Sequence, residues 1–257
     1  MTGGGIVFLS ASVPTRPAWV SGSSPVDIEE AIVSIARAVF ARRGRLLFGG
    51  HPSVSPLVSA VAGEYFAADP ARPAVERPVL TFQSEQFRGP QMPDATWELH
   101  RFGWTSIEWT PKAANRAESL RLMRERMLGG PMPAAMFAVG GMEGVVDETL
   151  LFLAERRARG ALSSRVYVLP SGGGAAACLA NPEPRWSERY STEFGTSSVA
   201  DLEDLRPALA ADAIVDAERQ WSATFGAGDF QVRPFAAITQ WVLDSQVPPL
   251  KEWPRSR

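Results

Sequence analysis

The chain has one cysteine, Cys178, and two histidines, His51 and His100, in 257 residues. A lone thiol excludes an internal disulfide and any zinc site built on several thiolates, and two distant histidines supply no recognisable ligand set. No metal is expected, and a reducing, cytoplasmic compartment is the economical reading. Nowhere does an apolar run approach the roughly 20 residues that span a bilayer, and Met1 to Val7 lack the basic and apolar segments of a leader, so no membrane association is expected. Neither sign of charge dominates: 26 basic residues stand against 28 acidic ones. Without a positive field to collect phosphate backbones, nucleic acid is an unlikely partner. Tandem repeats and low-complexity tracts are absent too. What is present is ordinary for a folded protein, with 45% hydrophobic and 21% charged residues.

The order of apolar runs is informative. Ile6 to Leu9 suits a strand buried on both faces, ending in Ser10-Ala11-Ser12. Ser24 and Pro25 read as the cap and first position of a helix whose stripe is Ile28, Ile32, Ile35 and Val39, with Gly44 as its stop. Arg45 to Phe48 returns to strand character, and Pro56 opens the next helix. Residues 67 to 78 read as a loop; Pro78 to Phe82 is a strand, then comes a polar connection, and Trp104 to Trp109 alternates like another strand. Asn115 with Glu118 resembles a capping box before a helix carrying Leu120, Met123 and Met127. Ala134 to Val139 is a strand, Val145 to Arg159 a helix stopped by Gly160, and Arg165 to Leu169 a strand before a small-residue helix.

Alternating strands and helices predict an α/β, Rossmann-like three-layer fold with a mostly parallel sheet over residues 1–180. Beyond Asn181 the texture changes. Trp186 and Tyr190 sit in polar sequence, Ala208 to Trp221 reads as helical, and so does Ile238 to Leu243, which predicts a C-terminal helical extension over 181–257 packed on the sheet domain.

Ligands of open parallel sheets bind beyond the carboxyl ends of the strands, where backbone approaches closely and helix N-termini offer unpaired N–H groups. The glycines concentrate there. Gly49-Gly50 before His51, Gly140-Gly141 with Met142, Glu143 and Gly144, and Ser171-Gly172-Gly173 each follow a strand and precede a helix. Tight turns alone account for any one of them. Together they point to an anionic or ribose-bearing ligand in one crevice, with Ser10 and Ser12 at its first strand. None matches the six-residue dinucleotide fingerprint or the Lys-bearing P-loop, and no cofactor is expected. Glu148, one turn into its helix, faces the crevice, and Arg124 on the preceding helix is suited to phosphate or to steering a carboxylate. His51 is a candidate phosphate donor and His100 reads as structural. Trp97, Trp104 and Trp109 read as core, and Asp201, Glu203 and Asp204 as a solvated helix start.

The segment RLMRERMLGGPMPAAMFAVGGMEGVVDE, from Arg121 to Glu148, resembles the signature of the Lonely Guy phosphoribohydrolases. That signature places an arginine in a Met-rich helix and a Pro-Gly-Gly-x-Gly-Thr-x-x-Glu turn after the next strand. Arg124 falls in register with the arginine, and Glu148 with the glutamate after one inserted residue. LFGGHPSVSPL and FLSAS resemble the family's earlier strands and loops. Over residues 5 to 180 the resemblance extends to the wider SLOG superfamily, which includes DprA-type DNA-uptake proteins and sensor domains for nucleotide signals related to cyclic ADP-ribose. It departs from the hydrolase signature at Val139, Val145, Met142-Glu143 and Glu125.

The resemblance implies a nucleotide or nucleotide-derived small molecule as partner and a homo-oligomer, dimer or higher. It leaves two activities open. A sensor would use Arg124 for phosphate and Glu148 for ribose hydroxyls. An enzyme would be a hydrolase of the N-glycosidic bond of a nucleoside 5′-monophosphate, with Glu148 and Arg124 as its catalytic pair. The altered turn favours binding over turnover, and a DNA-handling role fits the charge balance poorly.

Overall fold

The structure, a computed structural model, describes residues 5–67, 77–90, 92–130, 132–182, 186–226 and 233–247. Most of the loop expected at 67–78, and parts of the C-terminal extension, lie outside the described residues. Seven strands form one sheet: β1 (Ile6–Ser12), β2 (Arg45–Phe48), β3 (Val79–Ser84), β4 (Thr105–Thr110), β5 (Ala135–Gly140), β6 (Arg165–Leu169) and β7 (Ile214–Asp216), in the order β4-β3-β2-β1-β5-β6-β7. Every pairing is parallel. The order reverses between β1 and β5, whose ends meet at the pair Ser12 and Gly140. The connections leave a crevice at such a point.

Both faces are covered, and successive residues of β1 serve different cores. Val7 and Leu9 pack with Ile28, Ile32 and Ile35 of α2 (Pro25–Ala41), on the side that also holds α3 (Ser55–Phe66) and α11 (Phe235–Trp241). Ile6 and Phe8 pack with Trp19 of α1 (Pro17–Val20), with Val146 and Phe152 of α6 (Glu143–Ala158) and with residues of α7 (Gly174–Ala180). Side chains buried on both faces account for the continuous apolar runs. Helix starts follow their caps: the Ser24 hydroxyl accepts from the Asp27 N–H at 3.2 Å before α2, and the Asn115 side chain accepts from the Glu118 N–H at 2.9 Å before α5 (Arg116–Leu128). Among the described residues no helix is long and apolar enough to cross a membrane.

Three expectations change in detail. The polar connection after β3 contains α4 (Asp94–Arg101), where Thr96 and Leu99, three residues apart, are buried and the Thr96 hydroxyl donates to Ser55 Oγ at 2.6 Å. Ala208 to Trp221 is not one helix. After α8 (Val199–Glu203), α9 (Leu205–Ala210) ends before Asp212, whose φ of 58° is left-handed; Ile214 and Val215 then form β7 beside β6, and α10 (Ala217–Phe225) follows. The C-terminal segment thus adds a strand to the sheet as well as helices. Finally, α6 starts at Glu143 rather than Val145, which moves Glu143 from the turn into the helix and Glu148 into its second turn.

The β5–α6 turn is sterically tight at Gly141, where φ is +85° and a Cβ would stand 2.2 Å from Val145 Cγ2. Gly141→Ala is therefore expected to cost about 1–3 kcal/mol of folding stability, measured by urea unfolding. A loss under about 0.5 kcal/mol would show that the turn relaxes freely.

Candidate functional site

Where β1, β2 and β5 end, a cavity of about 400 Å³ opens. Its walls come from Leu9, Ala11 and Ser12 of β1, from Gly49, Gly50 and His51 after β2, from the start of α6 and from Leu120, Met123 and Arg124 of α5. Arg16, Phe87, Arg116 and Phe194 also line it. A volume of this size is within the usual range for small-molecule sites.

Glu148 holds its floor. The Ser10 hydroxyl donates to Glu148 Oε2 at 2.5 Å, and Arg124 Nε stands 3.5 Å from Oε1. With its side chain only 13% exposed, the Glu148 carboxyl is pushed above the usual carboxylate range by burial. Arg124 and the Ser10 hydroxyl oppose that shift, and Asp147 adds to it. Arg124 is itself buried, and its Nη1 donates to Asp147 Oδ2 at 2.8 Å while its Nε makes no hydrogen bond. The approach of Arg124 to α6 depends on Gly144, where a Cβ would lie 2.8 Å from Nη2.

Asp147 is a junction. Its Oδ1 accepts from the Tyr190 hydroxyl, from the Ser197 N–H at 3.1 Å and from the Ser197 hydroxyl at 2.7 Å; its Oδ2 also accepts from the Thr196 N–H at 3.0 Å. Burial and the bond to Asp147 raise the Tyr190 phenol above its ordinary pKa, so it stays a donor. One turn earlier, buried Glu143 accepts from Trp19 Nε1 at 2.9 Å and from the Ser191 N–H at 3.3 Å, and pairs with Arg16. The Arg16 guanidinium lies 4.2 Å from the centroid of the Phe194 ring. Two carboxylates of one helix therefore hold both segments that meet at the cavity mouth.

His51 stands at that mouth with an exposed edge. Its Nδ1 accepts from the Ser53 N–H at 3.2 Å, which puts the proton of the neutral ring on Nε2. Surrounding protein, and then Arg116, hold its pKa below the ordinary imidazole value.

Of the residues singled out by sequence, Ser12, Gly49, Gly50, His51, Arg124, Met142, Gly144 and Glu148 line the cavity, and Ser10 joins them through Glu148. Gly140 and Gly141 form the turn beneath it, where the Gly141 N–H donates to the Ser12 carbonyl at 2.7 Å. Glu143 faces away from the cavity, toward Trp19. The third glycine turn lies apart: Ser171 donates to Glu218 through its N–H at 2.9 Å and its hydroxyl at 2.8 Å, the Gly172 carbonyl accepts from the Ser24 N–H at 3.0 Å, and Gly173 packs on Gly22 and Ser23. His100, Trp97, Trp104 and Trp109 do not line the cavity. Sequence reasoning missed Arg16, Arg116, Asp147, Tyr190, Phe194 and Ser197. Only Asp147 carried a local signal, lying one helical turn after Glu143.

A family model described as the SLOG cluster3 family matches residues 18–194. The chain belongs to that family. The match takes in the cavity-lining residues from Phe48 to Phe194, while Ser10, Ser12 and Arg16 precede it. Among solved structures, the chain is similar to the X-ray structure of TM1055, a Northeast Structural Genomics Consortium target, at 14% identity and a TM-score of 0.41, over 68% of this chain and 80% of that one. No curated protein matches.

Two outcomes test this electrostatic arrangement. A carboxyl with a raised folded pKa binds its proton more tightly when folded. Its contribution to stability is fully present below the unfolded carboxylate pKa and is lost as pH rises through the folded value. Glu148→Gln removes that loss, so urea unfolding from about pH 4 to about pH 8 should show the variant gaining on the wild type toward neutral pH. A wild-type advantage that grows toward neutrality would contradict the direction assigned to Glu148. Asp147→Asn, which deprives buried Arg124 of its nearest counter-charge, is expected to cost about 3 kcal/mol in the same measurement; a neutral outcome would mean that the pair does not organise the site.

Proposed function

We propose that this cavity binds a nucleotide-derived ligand and serves recognition rather than turnover. The observation that carries the reading is the Ser10–Glu148–Arg124 array on the floor of a cavity at the switch point of a parallel sheet. A carboxylate backed by a hydroxyl and a guanidinium is suited to accept hydrogen bonds from ribose hydroxyls, and membership of the SLOG cluster3 family supports a nucleotide-related role. Recognition is favoured because groups that would stabilise a reacting centre are already engaged: Arg124 by Asp147, and the Gly141 N–H by the Ser12 carbonyl. A signal of the cyclic ADP-ribose type belongs to this ligand class.

One observation favours a second reading, hydrolysis of the base–ribose bond of a nucleoside 5′-monophosphate. Glu148 has a raised pKa, which suits a group that exchanges a proton during catalysis. In that reaction water adds across the C1′–N bond, the base leaves with a proton and ribose 5-phosphate remains. Incubation with AMP, ADP-ribose and cyclic ADP-ribose, followed by calorimetry and chromatography of free base, separates the two. The expected result is saturable binding of at least one compound with no base released. Base release lost in Glu148→Gln would establish the hydrolase instead, and absence of both binding and release would remove the nucleotide reading.

A further inference from the structure

Among the described residues, the charges around the cavity are matched, with one exception. Arg124 is answered by Asp147 at 2.8 Å, and Arg16 by Glu143. Arg116, exposed at the first position of α5, has no carboxylate within ion-pair distance among the described residues; its guanidinium carbon lies 5.6 Å from the centroid of the Phe87 ring. Helix stability does not account for a cation there, since the first turn disfavours positive charge. Arg116, Arg16 and His51 all line the cavity, and burial first, then the charge of Arg116, lowers the pKa of both Arg16 and His51. With its Nδ1 occupied by the Ser53 N–H, His51 keeps an Nε2–H to donate. An anion entering here meets a guanidinium with no ion pair among the described residues and a neutral imidazole donor.

We infer that Arg116 and His51 form the phosphoryl-binding lip of the cavity, so that a phosphorylated ligand lies with its phosphate at the mouth and its sugar toward Glu148. This rests on the nucleotide reading for the sugar end, but the lip itself requires only a phosphoryl group. It also reverses the orientation implied by the resemblance, which gave phosphate to Arg124. Buried Arg124 already has its charge answered by two carboxylates, with Nη1 on Asp147 at 2.8 Å and Nε 3.5 Å from Glu148.

The test compares wild type with Arg116→Gln, and with Arg101→Gln as an exposed charge-matched control on α4. Calorimetry with adenosine and AMP reads the phosphate preference, and thermal unfolding with inorganic pyrophosphate reads the lip alone. Wild type and Arg101→Gln are expected to prefer AMP over adenosine by about tenfold, and Arg116→Gln to reduce that preference to about threefold or less with adenosine affinity unchanged. Pyrophosphate should raise the melting temperature of wild type and not of Arg116→Gln. An unchanged AMP preference in Arg116→Gln overturns the lip and leaves the nucleotide reading standing. A pyrophosphate response that depends on Arg116, without binding of adenosine or AMP, sinks the nucleotide reading and keeps the lip. No response to any of the three probes overturns both.

Discussion

The buried pair between Arg124 and Asp147 is the constraint on which the site depends. It joins α5 to α6 beside the cavity, and its guanidinium sets Arg124 Nε beside Glu148 while its carboxylate collects Tyr190, Thr196 and Ser197. Such a pair is a weak contributor to stability, because desolvating two charges offsets most of their attraction. Its effect is geometric. Asp147 spreads its negative charge over donors from a segment some fifty residues further along the chain, so Arg124 can stand beside Glu148 without either carboxylate lacking a partner.

Topology decides where this happens. A parallel sheet whose order reverses between β1 and β5 sends the following connections to opposite faces, and the ends of these strands are left facing a gap. Ser10 and Ser12 point from β1, Gly49 and Gly50 follow β2, and α6 begins after β5 with Gly144 at the gap. Small residues stand on all three because larger ones would fill the cavity or, at Gly144, displace Arg124.

Local chemistry made much of this legible. The strands were readable because side chains buried on both faces leave unbroken apolar runs, and the helix starts because Ser24 and Asn115 bond to the backbone three residues on. Arg124 and Glu148 were legible through the motif they share. β7 was not: three residues make too short a pattern, and their neighbours on both sides are helical. α4 was hidden for a similar reason, since its buried side chains include Thr96, whose hydroxyl is satisfied by Ser55 in a distant helix. Arg16, Tyr190 and Phe194 reach the site only through contacts with partners far away in sequence, and no local spacing encodes such contacts. The third glycine turn does not line the cavity: Gly172 and Gly173 pack closely against the connection before α2, a role that looks the same in sequence as a ligand turn.

The helix α6 divides structure from chemistry along its own circumference. Glu143 and Asp147, four residues apart, share one side and hold the protein's own donors: Trp19 and Ser191 on the first, Tyr190 and Ser197 on the second. Gly144 and Glu148, also four apart, share the neighbouring side and face the cavity. One register therefore sets both rows, and a one-residue slip would exchange the satisfied carboxylates for the one left available to a ligand. The short turn at Gly140 and Gly141, bonded to Ser12 and to Ala175, fixes that register at its origin. With the helix beginning at Glu143, Glu148 arrives in its second turn, opposite Ser10.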